Sequence, residues 1–241
     1  MPRIDGRAND ELRPVHIRPR YLAFAEGSTL IELGQTRVLS AVSMEERVPN
    51  FLKGSGSGWI TAEYAMLPRS TLTRTPRSNL PGRTAGRSQE IQRLIGRSLR
   101  AVTRLDALGE KTFIVDCDVL QADGGTRTAA ITGSYVALFQ AFQNLVKQGV
   151  LPFMPLYKAV AATSLGIVDG EIFLDLCYAE DYSAEVDFNI VMTDKNELVE
   201  IQGTAETKPF SKELIAPLLS LAEKGIRQLL NTQKAALETL H

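Results

Sequence analysis

Thr112-Phe113-Ile114-Val115-Asp116-Cys117-Asp118-Val119-Leu120-Gln121-Ala122-Asp123-Gly124-Gly125-Thr126-Arg127 is the stretch on which the fold turns. Thr112 to Leu120 alternates apolar residues at period 2 and predicts a strand. From Thr128 to Val146 the pattern changes to a helical period, with Ile131, Tyr135, Leu138, Phe139, Phe142 and Val146 on one face. A glycine pair at a strand-to-helix turn lets backbone N–H groups converge, and the helix N-terminus adds partial positive charge. Thr126 supplies a hydroxyl. Arg127 supplies a planar fork suited to phosphate oxygens. The tetrad Gly124-Gly125-Thr126-Arg127 therefore reads as a cradle for a phosphate-sized anion.

Upstream of the strand lies a strong charge asymmetry. Between Arg69 and Arg104 stand nine arginines, one acid (Glu90) and no lysine, so this segment carries +8 in a chain of net charge −1. A basic stripe on a near-neutral protein points to a polyanionic partner met at one place. From Ser88 a helix is expected, with Ile91, Leu94, Ile95, Leu99 and Val102 on its apolar face. Arg93, Arg97, Arg100 and Arg104 fall opposite, as a solvated face or a subunit contact. Arg69, Arg74, Arg77, Arg83 and Arg87 belong to a Pro- and Ser/Thr-containing loop or its junction with the helix, where they can reach a ligand.

Farther out, Tyr21 to Met44 reads as two or three strands. Gly54-Ser55-Gly56-Ser57-Gly58 is a linker or a mobile loop and does not fit a dinucleotide fingerprint. Leu151 to Tyr157 is a connector. A hairpin is expected from Val160–Val168 and Glu171–Tyr178 around Asp169-Gly170, and another from Val186–Thr193 and Glu197–Gln202. Ser211 to Leu240 is helical, with Pro217 kinking it or marking its first turn. The element order predicts an α+β fold of mixed α/β layers.

The second chemical signal is Asp175-Leu176-Cys177-Tyr178-Ala179-Glu180-Asp181-Tyr182-Ser183-Ala184-Glu185-Val186-Asp187, with five carboxylates in thirteen residues. Asp181 is expected just before a strand and Asp187 at its start. Two or three such oxygens suit Mg²⁺, which keeps waters and bridges to substrate phosphates. Standing alone, the segment reads more simply as a solvated acidic loop. Paired with an anion cradle and a basic loop, it fits phosphoryl transfer, which needs positioning and charge neutralisation more than covalent help.

Composition narrows the field. The chain has 241 residues, 44% of them hydrophobic and 23% charged, enough for a real core. No apolar run approaches the roughly 18 residues of a membrane span, and the N-terminus lacks a signal-peptide h-region, so no membrane contact and a cytoplasmic location are expected. Cys117 and Cys177 sit in strand-like runs as buried free thiols. His16 and His241 are too far apart in sequence to suggest a zinc cluster or a Ser/His triad.

The run Gln121-Ala122-Asp123-Gly124-Gly125-Thr126-Arg127-Thr128-Ala129-Ala130 resembles the phosphate-binding motif of the RNase PH family, and the likeness covers nearly the whole chain. It includes Arg3-x-Asp5-Gly6-Arg7 with Leu12-Arg13-Pro14, Gly58-Trp59-Ile60-Thr61-Ala62-Glu63-Tyr64, Gly86-Arg87-Ser88-Gln89-Glu90 and Gln202-Gly203-Thr204-Ala205-Glu206. The resemblance implies the RNase PH fold, a single domain over 1–241 of two related β-α halves, 1–150 and 151–241. It implies a phosphate-dependent 3′→5′ exoribonuclease that trims transfer RNA precursors at single-stranded 3′ ends and releases nucleoside diphosphates. A homo-oligomeric ring, a hexamer built as a trimer of dimers, is implied as well. By motif position, Arg87, Gly125, Thr126 and Arg127 bind the attacking inorganic phosphate. Asp181 and Asp187 bind a divalent metal, Mg²⁺ or Mn²⁺, or assist catalysis, and Arg69, Arg74, Arg77 and Arg83 grip RNA. The chain departs from the family pattern at Tyr182, Arg104, Thr207-Lys208 and Pro217. A non-catalytic RNA-binding ring subunit is the alternative reading, and a hydrolytic nuclease a third.

Overall fold

The computed structural model describes residues 3–76 and 86–240. Two sheets and four helices form mixed α/β layers, as expected. Strands β1 (Val15–Pro19), β2 (Gly27–Leu33), β3 (Thr36–Glu45), β4 (Trp59–Met66) and β5 (Thr112–Gln121) make the first sheet, in the order β1-β2-β3-β5-β4. All neighbours are antiparallel except β4 and β5, and helix α1 (Gly86–Arg100) lies in the connection between these two. A parallel pair requires such a crossover, because a short turn cannot return the chain to the same end of the sheet. Helix α2 (Thr126–Lys147) follows β5 directly. Strands β6 (Val160–Val168), β7 (Glu171–Leu174), β8 (Val186–Thr193) and β9 (Leu198–Ala205) make a second, antiparallel sheet in the order β7-β6-β8-β9. The short helix α3 (Tyr178–Ser183) sits between β7 and β8, and α4 (Ile215–Glu238) closes the chain.

Helix α2 lies between the two sheets, packing on β2 and β3 from one side and on β6 from the other. It is accordingly buried nearly all round from Thr128 to Leu145, which no surface helix could be. The close approach depends on Gly27 of β2: a Cβ there would stand 2.1 Å from the Ala137 carbonyl oxygen of α2. On β5, Phe113, Val115, Cys117 and Val119 point inward at period 2. On β8, Phe188 and Ile190 face α4 across a second core with Leu218, Ala222 and Ile226.

Several expectations are corrected. Strands β1 and β4 were not foreseen. The strand expected over Glu171–Tyr178 stops at Leu174, because Asp175 takes a left-handed backbone (φ 55°) that no strand continues through. Cys177 consequently begins α3 rather than lying in a strand, although both thiols are buried and free. Asp181 does precede β8, as expected, and it does so from within the unforeseen helix α3. Helix α1 ends at Arg100, so Arg104 lies beyond it. Arg100 itself is no solvated cation, since it donates to the Ile60 carbonyl at 2.7 Å and stacks 4.1 Å over Trp59. Pro217 falls in the first turn of α4, where a missing N–H costs no helical bond.

Candidate active site

The glycine turn is held from three sides. Gly124 and Gly125 both have left-handed backbones (φ 72° and 64°), and Gly125 ends the turn as the residue that precedes α2. Thr36 accepts from the Asp123 N–H at 2.9 Å and donates to the Gly124 carbonyl at 2.7 Å. The buried Arg13 donates to the Asp123 carbonyl. A Cβ on Gly124 would lie 2.4 Å from the Leu176 carbonyl oxygen, so only glycine lets this turn touch the chain leading into α3. No side chain caps α2 at Gly125, which leaves its first-turn N–H groups free for an anion.

The acidic segment divides in two. Asp175 is 1% exposed and engaged chiefly by Arg13, accepting from its backbone N–H at 2.8 Å, its Nε at 2.9 Å and its Nη2 at 2.7 Å, and also from Arg7 Nη1 at 3.4 Å. Glu180 is 2% exposed. It accepts from Arg3 Nε at 2.8 Å and Nη2 at 2.7 Å, and from the Cys177 N–H at 3.0 Å, which caps α3. Burial works against its charge, but these donors hold Glu180 below the usual carboxylate range. Glu185 accepts from the Gly170 N–H. Of the five carboxylates, only Asp181 and Asp187 open onto the cleft.

That cleft has a volume of about 910 Å³. Arg87, Gly125, Thr126 and Arg127 line it together with Asp181 and Asp187, so the six residues singled out from the sequence meet in one place. The fold explains how. Arg87 comes from the first turn of α1, the cradle from the first turn of α2, Asp181 from α3 and Asp187 from β8. Alternation along β8 turns Asp187 and Asn189 away from the α4 core, and cross-strand register pairs them with Thr204 and Gln202 of β9. Ser164 of β6 pairs with Asn189 in the same row. Ser164, Asp187, Asn189, Gln202 and Thr204 are thus a polar floor facing the start of α2. Sequence reasoning missed Ser164 and Asn189 and gave Gln202 no role. Their signal was the period-2 step from Asp187.

Electrostatics follow from this arrangement. Burial raises Asp181 and Asp187 above the ordinary aspartate range; Arg87 and Arg127 oppose the shift, while the two carboxylates and Glu206 add to it. Arg127 reaches Gln202 Oε1 at 3.3 Å and Glu90 at 3.6 Å. Tyr64, 5% exposed on β4, places its hydroxyl 2.8 Å from Thr126 Oγ1, and burial pushes its own pKa up. It is a core residue with a polar tip in the site.

The basic loop is represented in part. Arg69 is exposed and donates to the Leu72 carbonyl at 3.1 Å, and Arg74 is exposed; neither lines the cleft, whereas Thr71, Leu72 and Thr73 do. Arg77 and Arg83 lie outside the described residues.

Comparison with known proteins agrees with this geometry. Models of the 3′ exoribonuclease family match residues 11–142 as its domain 1 and residues 158–225 as its domain 2. The chain belongs to the RNase PH family. Two proteins named Ribonuclease PH, from strains of Dehalococcoides mccartyi, are 61% and 59% identical to it, over 97% and 98% of both chains. Among solved structures, a chain of the Archaeoglobus fulgidus exosome with RNA bound to the active site superposes with a TM-score of 0.82 at 24% identity, covering 95% of this chain and 91% of that one. Rice (Oryza sativa) Rrp46 gives 0.78 at 21% identity, covering 98% and 100%. These two establish the shared RNase PH fold.

Proposed function

We propose that the cleft carries out phosphate-dependent removal of nucleotides from the 3′ end of transfer RNA precursors. The observation that carries this reading is the meeting of Arg87, Gly125, Thr126 and Arg127 with Asp181 and Asp187 in one cleft of about 910 Å³. An uncapped helix start and two arginines suit a free anion, and the facing carboxylates suit a cation shared with RNA phosphates. Family membership and the name Ribonuclease PH carried by relatives 59–61% identical support the same reading.

In the reaction, an oxygen of inorganic phosphate attacks the phosphorus of the 3′-terminal phosphodiester. The bond from that phosphorus to the preceding 3′ oxygen breaks, and the 3′ oxygen leaves with a proton as a hydroxyl. The product is a nucleoside 5′-diphosphate, and the step is reversible. The N–H groups of the α2 start, the Thr126 hydroxyl, Arg87 and Arg127 hold the attacking ion and fix its line of approach. Tyr64 keeps its phenol proton and shares a 2.8 Å hydrogen bond with Thr126 Oγ1 in which either hydroxyl can donate; with Tyr64 as the donor, the Thr126 proton is left for a phosphate oxygen.

Asp181 and Asp187 fit a divalent cation, Mg²⁺ or Mn²⁺. Both open onto the cleft, burial and mutual repulsion make their charges costly, and Asp181 accepts no side-chain hydrogen bond among the described residues. Asp181 and Asp187 would hold the ion, and water and phosphate oxygens would complete its shell. When bound, such an ion neutralises charge developing on the scissile phosphate.

The protein acts, on this reading, in the cytoplasm as a homo-oligomeric ring, a hexamer assembled as a trimer of dimers, with a single domain per subunit. Phe24, Phe51 and Phe153 are exposed apolar surface available to such contacts. Incubation with a 3′-extended transfer RNA and Mg²⁺, with and without inorganic phosphate, tests the reaction. Nucleoside diphosphates appearing only with phosphate are expected. Monophosphates released without phosphate identify a hydrolase, and no product identifies a non-catalytic RNA-binding ring subunit.

A further inference from the structure

Helix α3 presents two tyrosines on one face. Tyr178 and Tyr182 are one turn apart, with ring centroids 6.3 Å apart and planes inclined by 36°. They are 53% and 83% exposed, so neither serves the core. Among the described residues neither phenol oxygen has a hydrogen-bond partner in the protein. Two large aromatic rings left in water one turn apart are surface that asks for a ligand.

Their support is rigid. The reverse side of α3 is fixed by Glu180, locked to Arg3, and the Tyr178 N–H donates to Asp123 Oδ1 at 3.1 Å. That bond ties α3 to the glycine turn. The backbone that carries the rings is therefore held in place before any ligand arrives. Their position is equally specific. Tyr178 lines the cleft beside Asp181, and Tyr182 follows Asp181 directly and carries the aromatic surface past the lip.

We propose that Tyr178 and Tyr182 form a stacking platform for bases of single-stranded RNA near the 3′ end being cleaved. The inference rests on the ribonuclease reading and extends it to how the strand is gripped. The ligand chemistry follows from the surroundings. Arg87 and Arg127 serve the attacking phosphate, while the two rings offer no charge to a phosphate and a flat face to any base. Stacking of this kind tolerates every base, which suits an enzyme that removes nucleotides in succession.

The experiment uses the full chain with Tyr178→Ser, Tyr182→Ser and the double substitution. Turnover and fluorescence anisotropy are measured on a single-stranded oligoadenylate and on the same oligonucleotide with abasic units at its last nucleotides. The RNA KM and dissociation constant should rise roughly tenfold for each ring lost, within the span expected of a base–aromatic stack. The phosphate KM should stay within roughly twofold, and the loss should vanish on the abasic strand, which has nothing to stack. Unchanged RNA affinity overturns the proposal. So does an equal loss on the abasic strand, or a drop in assembly mass on sedimentation, which makes the rings a contact between copies. If the unsubstituted protein releases no diphosphates, the ribonuclease reading fails, and the anisotropy comparison still decides the platform.

Discussion

At the scale of single residues, Arg127 is proposed to hold the attacking phosphate and not the RNA. It reaches Gln202 and Glu90 only at 3.3 and 3.6 Å, so it can turn to an anion without breaking a short bond. Arg127→Ala should lower phosphate-dependent turnover on the order of a hundredfold while RNA binding in a filter assay stays largely intact, since the lost donor acts on the attacking ion. Collapse of RNA binding with no change in phosphate KM reverses the assignment. Tyr64 makes a subtler test. Tyr64→Phe should raise the phosphate KM roughly three- to tenfold, the worth of one orienting hydrogen bond. In a Thr126→Val background the same change should cost nothing, because Tyr64 acts through the Thr126 hydroxyl. Additive effects in that cycle exclude the orienting role. The sequence made Asp181 and Asp187 visible through carboxylate density and family position. It could not show that Asp175 and Glu180 are consumed by Arg13 and Arg3, because those partners lie 162 and 177 positions away.

At the scale of elements, the site is where the starts of α1 and α2 meet Tyr178 and Asp181 of α3 and the β6-β8-β9 face. One close join is between the glycine turn and the approach to α3. Gly124→Ala places a methyl 2.4 Å from a backbone oxygen, in a left-handed conformation that already disfavours a side chain. The change should destabilise the protein by roughly 2 kcal/mol or more in urea unfolding and raise the phosphate KM together with it. A variant with the parent midpoint and KM refutes this coupling. The strand–turn–helix of β5 and α2 was legible because glycine pair and periodicity agree. Helix α3 was not, because six residues are too few to show a helical period, and what makes them helical is the Cys177–Glu180 cap. Strand β4 was hidden for a related reason: its inward residues Ile60, Ala62 and Tyr64 mix a small and a phenolic side chain in place of an aliphatic run.

At the scale of the molecule, the N-terminal segment joins the two sheets. Arg13 is 4% exposed and bonds Asp123 of the first sheet's glycine turn and Asp175 beyond the second sheet's β7. Arg13→Met removes both guanidinium bonds to Asp175 and leaves its buried charge with the backbone N–H of position 13 and Arg7 at 3.4 Å, at a cost of about 3 kcal/mol. Arg13→Met with Asp175→Asn should recover part of that loss, since Asn tolerates the left-handed backbone and carries no charge. Urea midpoints of the single and double variants give the measurement, and a double variant no better than the single contradicts the buried-charge account. The mixed-layer fold was readable from element order. The joining of its halves was not, because a pairing 162 positions apart leaves no local pattern.

This clasp also imposes a schedule. The ribosome makes Arg13 and the glycine turn long before Asp175, and Asp181 and Asp187 emerge later still. A nascent chain that has already built its first sheet and its anion cradle therefore has neither the partner that seats Arg13 nor the carboxylates that face the cradle. The site is therefore completed only when most of the chain has left the tunnel.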